Sequence, residues 1–557
     1  MTQPSDDEAR LTRRMGVAAA AVVAAFVLGA LPFAVWQVIS QADEARYTVA
    51  AARMMASGDY IIPYSAWGEV RLLKPPLVYY QIVAGFALFG QSVFAVKSMW
   101  VLSGAILLGI VWGMARALGA GPVGAAVAVA ALAANPIFFQ SALTHNPDLP
   151  MTLGIALASL GFLHLLAEGP PPRWAAWAAW LGAAWALLAK GLLVLVLVAL
   201  ALGLRAFWRR PLLAGRNEVA AAVVAAVAAG WWWVAVALRE PEALVAQFLG
   251  DQVAEKAVLD PGTTAGALAA LFGYVALGFV PLLLAGIPMR GLARPRLSPG
   301  VVFLGAWAVL VPVIFALGAF HPARYVLPAL PALAAIAALA CDGVGAEEVA
   351  RRAGRAVRVL LFMTICVAVV AAGVVYGGAS GPAAIGALAV GAGVMAALWW
   401  LAGRGRVTVA LPLMALWLPV TVLLTYPAAR VIAFPAAADF GVAAVRASGL
   451  PTDRVVIFGK WRFLDRVGLR APPIEGYRYA DRYREDMLAG AGLVLTIDAD
   501  DAARLAAAGW QVRAETGAPE GFSLAELWTA VRERDIAGLR AARGETIYIA
   551  TPSGSGS

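Results

Sequence analysis

Apolar residues run along this chain in long blocks separated by short polar stretches. After a polar start carrying Arg10, Arg13 and Arg14, residues 16–39 are almost wholly apolar. Further runs occupy 92–118, 121–140, 148–167, 173–189, 190–208, 217–238, 265–287, 299–318, 322–341, 356–377, 382–402 and 406–426. A helix needs about 20 apolar residues to cross the hydrocarbon layer, so these blocks predict about thirteen membrane spans. The first lacks a small-residue cleavage site and reads as a retained helix, not a removed signal.

The pattern changes near Pro427. Short β-rich runs appear at 455–459, 493–497 and 546–550, with helical patterns at 481–490, 500–508 and 523–543. The expected fold is thus an all-α polytopic membrane domain over 1–426, with a first outer loop at 40–91, and a small α/β domain over 427–557. The closing Gly-Ser-Gly-Ser reads as a flexible end.

Charge placement orients the spans. With the N-terminus inside, the inner loops collect Arg116, Arg173, Arg205, Arg209, Arg210 and Arg216. They go on to collect Arg290, Arg294, Arg296, Arg351, Arg352, Arg355, Arg358, Arg404 and Arg406. The outer loops are poor in arginine apart from the first loop and 239–264, as the positive-inside rule requires. An odd number of spans then places the C-terminal domain outside.

Composition agrees: 62% of the 557 residues are hydrophobic and only 14% are charged, against about 25% charged in soluble proteins. The net charge of +9 sits at span ends and forms no basic face, which argues against a nucleic-acid partner. Cys341 and Cys366 lie in apolar runs without metal-ligand spacing, which argues against a disulfide framework or cysteine zinc site.

Ionisable groups kept next to lipid usually face a cavity or an interface. The first outer loop is richest, with Gln41-Ala-Asp-Glu-Ala-Arg-Tyr47 and Arg71-Leu-Leu-Lys-Pro-Pro-Leu77. Asp43, Arg46 and Tyr47 share a helical face with Ala50 and Met54, which predicts an amphipathic helix along the membrane surface. Pro75 and Pro76 suit the start of a second helix, leaving Lys74 at an N-terminus suited to a phosphate. Asp148 in Thr144-His-Asn-Pro-Asp-Leu-Pro150, Lys190 in Ala189-Lys-Gly191, and Arg324 and Tyr325 in His321-Pro-Ala-Arg-Tyr-Val-Leu-Pro328 fall on the same side. An ion pair and membrane anchors would account for each one singly; the shared side points to one outward-facing site.

In order and spacing, Asp-Glu-x-Arg-Tyr, Lys-Pro-Pro-Leu-x-Tyr, Ala-Lys-Gly and Arg-Tyr-x-Leu-Pro resemble bacterial GT-C glycosyltransferases that use polyprenyl-phosphate-linked sugars. The branch is that of the lipid A aminoarabinose transferase and the protein O-mannosyltransferase-like enzymes, and the likeness covers roughly residues 10–430. It implies Asp43 as the catalytic carboxylate and Lys74 as holder of the donor phosphate, with Arg46 and Tyr47 in the same pocket. Tyr325, with Arg324 beside it, would reach the phosphate from the opposite wall, and Lys190 and Asp148 would complete the cavity. Several members carry a Glu-His-x-x-x-Arg-like element where this chain has Gly250-Asp-Gln-Val-Ala-Glu-Lys256, with Lys256 in place of the arginine. Leu73 stands where some members are acidic. These departures leave the sugar, the acceptor and the use of a divalent metal open.

The resemblance implies a polyprenyl-phosphate sugar donor, a lipid, glycan or protein acceptor, and a monomer in the bacterial inner membrane with its active site and C-terminal domain periplasmic. A transporter or flippase would be expected to show paired halves, and no clear internal repeat is visible. A non-catalytic subunit of an envelope glycan pathway is the other alternative.

Overall fold

The computed structural model describes residues 6–36, 42–65, 68–213, 215–254, 261–286, 298–318, 321–341, 343–377, 382–433, 435–459, 476–480, 482–519 and 523–553. Its first half is α1 (Asp6–Trp36), α2 (Ala42–Ser57), α3 (Leu77–Phe89), α4 (Val93–Ala117), α5 (Pro122–Ala133), α6 (Pro136–Leu143), α7 (Asp148–Leu166), α8 (Arg173–Lys190), α9 (Leu193–Phe207) and α10 (Gly215–Arg239). Long helices at Pro299–Ala316, Ala346–Gly377, Pro382–Ala402 and Val407–Ala433 complete the bundle, with a 3-10 turn at Ala323–Ala329 leading into Leu330–Ala340. Large apolar side chains such as Leu238 (80% exposed), Phe207 (77%) and Val369 (66%) point outward. Such faces suit lipid, and helices satisfy their own backbone groups there. The chain is a multi-pass membrane protein.

All thirteen apolar runs fall on helices, but fewer than thirteen helices cross alone. Among the described residues, nine are long and apolar enough to span. α5 and α6 make a tenth only as a pair bent by 59°. The bend has a local cause: Asn135 ends one helix and caps the next, its Oδ1 accepting from the N–H groups of Ile137 and Phe138, with Pro136 at the first helical position. α9 and the helix ending at Gly278 are shorter apolar helices, and α8 is not among the nine.

α7 and α8 form a hairpin whose backbones touch. A Cβ on Gly161 would stand 2.3 Å from Ala179 N, one on Gly182 2.5 Å from Ala158 N, and one on Gly154 2.6 Å from Ala186 N. Small residues at such a seam let dispersion between backbones replace the hydrophobic drive that lipid removes.

The expected surface helix is present as α2 but does not lie on a surface. Tyr47, Thr48, Val49, Ala50, Ala51, Ala52 and Met54 are all buried. Its inward polar groups find partners in the bundle, which removes the reason to face water. α3 begins at Leu77 with Pro76 as its N-cap, so Lys74 precedes the helix as expected.

The C-terminal part carries a five-stranded sheet of β1 (Val455–Phe458), β2 (Arg478–Ala480), β3 (Leu493–Thr496), β4 (Trp510–Pro519) and β5 (Gly544–Pro552), in the order β2-β1-β3-β5-β4. β1 is parallel to β2 and β3, whereas β5 is antiparallel to β3 and β4. The helix expected at 481–490 is only a 3-10 turn at Glu485–Leu488. The helix expected at 523–543 breaks into Leu524–Glu533 and Ile536–Arg543 at Arg534, which takes a left-handed φ of 58°. Ala530 and Ile536 from these two helices pack with Ala371, Val374 and Val375 and with Ala428 and Ile432 at the ends of two membrane helices.

Candidate active site

Asp148 opens α7 and Lys190 closes α8, so the hairpin brings a helix N-terminus beside a helix C-terminus. Each charge matches the end of the helix dipole on which it sits. Lys190 Nζ donates to Asp148 Oδ1, and Arg324 Nε lies 3.3 Å from Asp148 Oδ2. Asp148 is nearly sealed, at 3% side-chain exposure, whereas Lys190 and Arg324 keep 15% and 29%. The anion is therefore the sealed member of the cluster, and the cations keep partial exposure.

Tyr325 joins them. Lys190 Nζ stands 4.3 Å from the centre of its ring, and Phe315 packs on that ring at 4.4 Å. The turn that carries Arg324 and Tyr325 is held where Trp307 Nε1 donates to Pro328 O at 2.9 Å. Four residues singled out from sequence, on three separate elements, thus form one group.

The first loop supplies a second group. Tyr47 is buried, meets Tyr79 edge to face at 5.8 Å, and lies under the Arg71 guanidinium at 5.8 Å. Arg46 precedes it on α2 and is half-buried, as is Lys74. Asp43 is in the first turn of α2, but its side chain lies outside the described residues, as does Lys256.

Sequence reasoning missed the network beneath these groups. Glu44, Thr48, Lys97 and His145 are all buried. Lys97 Nζ donates to Glu44 Oε1 at 3.3 Å and to Leu143 O at 2.7 Å. The His145 backbone N–H donates to Glu44 Oε1 at 3.1 Å, and its ring Nδ1 stands 3.0 Å from that oxygen. His145 Nε2 lies 2.9 Å from both Thr48 Oγ1 and Glu44 O. Trp100 Nε1 donates to Asn146 O at 2.8 Å, and Asn146 Oδ1 accepts from Asp148 N–H at 3.1 Å. One loop, 144–148, thus ties α2 to Asp148. The signal was available: Lys97 is an ionisable side chain in an apolar run, which by itself points to a partnered or functional position.

Tyr477 and Tyr479 are both buried against the same core as α2. Burial pushes the Tyr477 hydroxyl up to about 12. Among the described residues no three His, Cys, Asp or Glu side chains are grouped to hold a metal ion.

Comparison with known proteins sets this geometry in context. Residues 73–233 match the family model described as dolichyl-phosphate-mannose-protein mannosyltransferase. A protein of Aquifex aeolicus is 28% identical over 116 residues, which span 21% of this chain and 23% of that protein. The crystal structure of ArnT from Cupriavidus metallidurans bound to undecaprenyl phosphate superimposes with a TM-score of 0.68 at 20% identity, covering 96% of this chain and 97% of that one. Its apo form gives 0.65 at 21% identity over 88% and 94%. The chain therefore has the GT-C fold of ArnT almost from end to end, and within it residues 73–233 match the mannosyltransferase family's sequence pattern.

Proposed function

We propose that this protein is an integral membrane glycosyltransferase that moves a sugar from a polyprenyl-phosphate donor to an acceptor at the periplasmic face of a bacterial inner membrane. The observation that carries this reading is the cluster of Lys190, Arg324 and Tyr325 over buried Asp148, in a fold shared with an ArnT whose structure contains undecaprenyl phosphate.

The chemistry needs little beyond charge and placement. Polyprenyl phosphate is a good leaving group, so positive charge beside the departing phosphate does most of the work. Lys74, Lys190, Arg46 and Arg324 are the cations this reading assigns to it. The acceptor oxygen attacks the anomeric carbon as the bond from that carbon to the phosphate oxygen breaks, with inversion. Asp43 takes the proton when the acceptor is a hydroxyl. The acceptor class favoured is an envelope glycolipid such as lipid A.

The test is mass spectrometry of envelope lipids and glycoproteins from cells with and without the gene, complemented by wild type or Asp43→Asn. The sugar mass lost with the gene should return with wild type and stay absent with the variant, although the variant accumulates normally. Return of that mass at the wild-type rate would remove Asp43 from the chemistry. No lost sugar mass at all would remove the transferase reading.

A further inference from the structure

Gln247 and Phe248 are neighbours in the segment Leu244–Ala254, and each reaches a different cation-bearing part of the site. Gln247 uses both ends of its amide. Leu72 N–H donates to its Oε1 at 2.7 Å, and its Nε2 donates to Val70 O at 2.9 Å. A side-chain amide paired in this way fixes the backbone it meets, because both a donor and an acceptor must stay in register. Lys74 follows two residues after Leu72.

Phe248 is 5% exposed and stacks edge to face on Trp233 at 4.5 Å. It also reaches the turn after Lys190. A Cβ at Gly191 would stand 3.2 Å from Phe248 Cζ, and Gly191 has a φ of +105°. Glycine at 191 thus answers two demands: a left-handed backbone, and room for this ring.

The helix that leads into this segment, α10, is itself anchored to the first loop. Trp232 Nε1 donates to Ile61 O at 2.9 Å, and Arg239 donates two hydrogen bonds to Asp59 at 3.0 and 2.6 Å. Neither Gln247 nor Phe248 is an acid, a base or a cation, so neither has a direct part in the chemistry.

We infer that Gln247 and Phe248 are positioning residues, a two-residue brace that sets the Lys74 loop against the Lys190 turn and so fixes where positive charge meets the donor phosphate. The inference rests on the donor reading proposed above. A phosphate gripped by two lysines is bound well only when both ammonium groups stand at contact distance together, so freedom in one loop weakens the grip.

The test measures undecaprenyl phosphate binding and turnover with purified full-length protein. Gln247→Met keeps the side chain's length and bulk and removes its donor and acceptor. Its Kd should rise about tenfold, and backbone amide exchange at Leu72 should quicken. A merely structural role would lower the active fraction, and with it kcat, leaving Kd unchanged. Gln247→Glu keeps the acceptor for Leu72 N–H but loses the donor to Val70 O; it should weaken binding less, and it serves if the methionine variant does not fold. A Kd within twofold of wild type in the folded variants overturns the brace. Failure of the wild type itself to bind undecaprenyl phosphate overturns the donor reading and the inference with it.

Discussion

Lys97 and Glu44 form an ion pair with both side chains only 1% exposed, and Glu44 is the immediate neighbour of Asp43. Burial this complete makes each charge depend on the other. Lys97→Met would take the lysine from the Glu44 carboxylate and leave it His145, and removing one partner of a buried pair costs about 3–5 kcal/mol. We expect a sharply lowered unfolding temperature in detergent, with partial recovery in Lys97→Met/Glu44→Gln. An unchanged midpoint in the single variant would show that the pair carries no such weight.

Asp148 stands between two cations that the proposed donor also needs. In Asp148→Asn, Lys190 and Arg324 lose their shared anion, so the ligand-free protein should melt earlier. Undecaprenyl phosphate brings its own negative charge and should raise the midpoint of this variant more than that of wild type. Equal ligand-induced shifts would separate Asp148 from the phosphate site.

The glycine seam of α7 and α8 offers a geometric test. Gly161→Ala places a Cβ 2.3 Å from Ala179 N, where only backbone movement can make room. It should destabilise by about 1–3 kcal/mol and reduce activity by spoiling the Asp148–Lys190 contact at the other end of the hairpin. Gly109→Ala, where nothing lies within 4 Å, is the control and should be neutral. A neutral Gly161→Ala would mean that the seam yields easily.

Acid should loosen the tie between the first loop and α10. The Arg239 guanidinium, seconded by the N–H groups of Ile61 and Ile62, holds the Asp59 carboxyl below its ordinary value of 3.8. A carboxylate with a lowered folded-state pKa adds stability that is complete above its unfolded value and is lost as pH falls through the folded one. The stability difference between wild type and Asp59→Asn should therefore be constant near neutral pH and shrink only in acid below about 3.8. A gap that closes near pH 6 would point to another group.

Much of this was legible in sequence. Among the described residues, run length located each of the nine helices long enough to span, because a bilayer demands long uninterrupted apolar stretches, but it overcounted where runs fold into shorter or bent helices. Asp148, Lys190, Arg324 and Tyr325 stood out because a charge or polar ring near lipid needs a reason to be there. The inward placement of α2 was not legible, since it depends on partners distant in the chain; the bend at Asn135 has a local signal in Asn135-Pro136, which lay inside an apolar run long enough to read as one span. His145 was quoted within its motif, yet nothing local says that it meets Glu44 across 101 positions. β4 was missed because Gln511, Arg513 and Glu515 make its alternation look like a polar loop. Gln247 carries no charge or motif; only its two backbone partners reveal it.

The sheet order β2-β1-β3-β5-β4 has a bearing on biogenesis. β5, at Gly544–Pro552, is made after both β3 and β4, yet it sits between them. β4 reaches the rest of the sheet only through it. Domains generally form in the order in which they emerge from the ribosome, but this one must wait for β5 to emerge before its sheet can close. The bundle can insert first, leaving the apolar ends of two membrane helices uncovered until Ala530 and Ile536 arrive. A premature stop near Arg543 would remove β5 and leave β4 with no strand to join it to the sheet, so a nonsense change far from the reacting groups should deplete the protein as surely as one beside them.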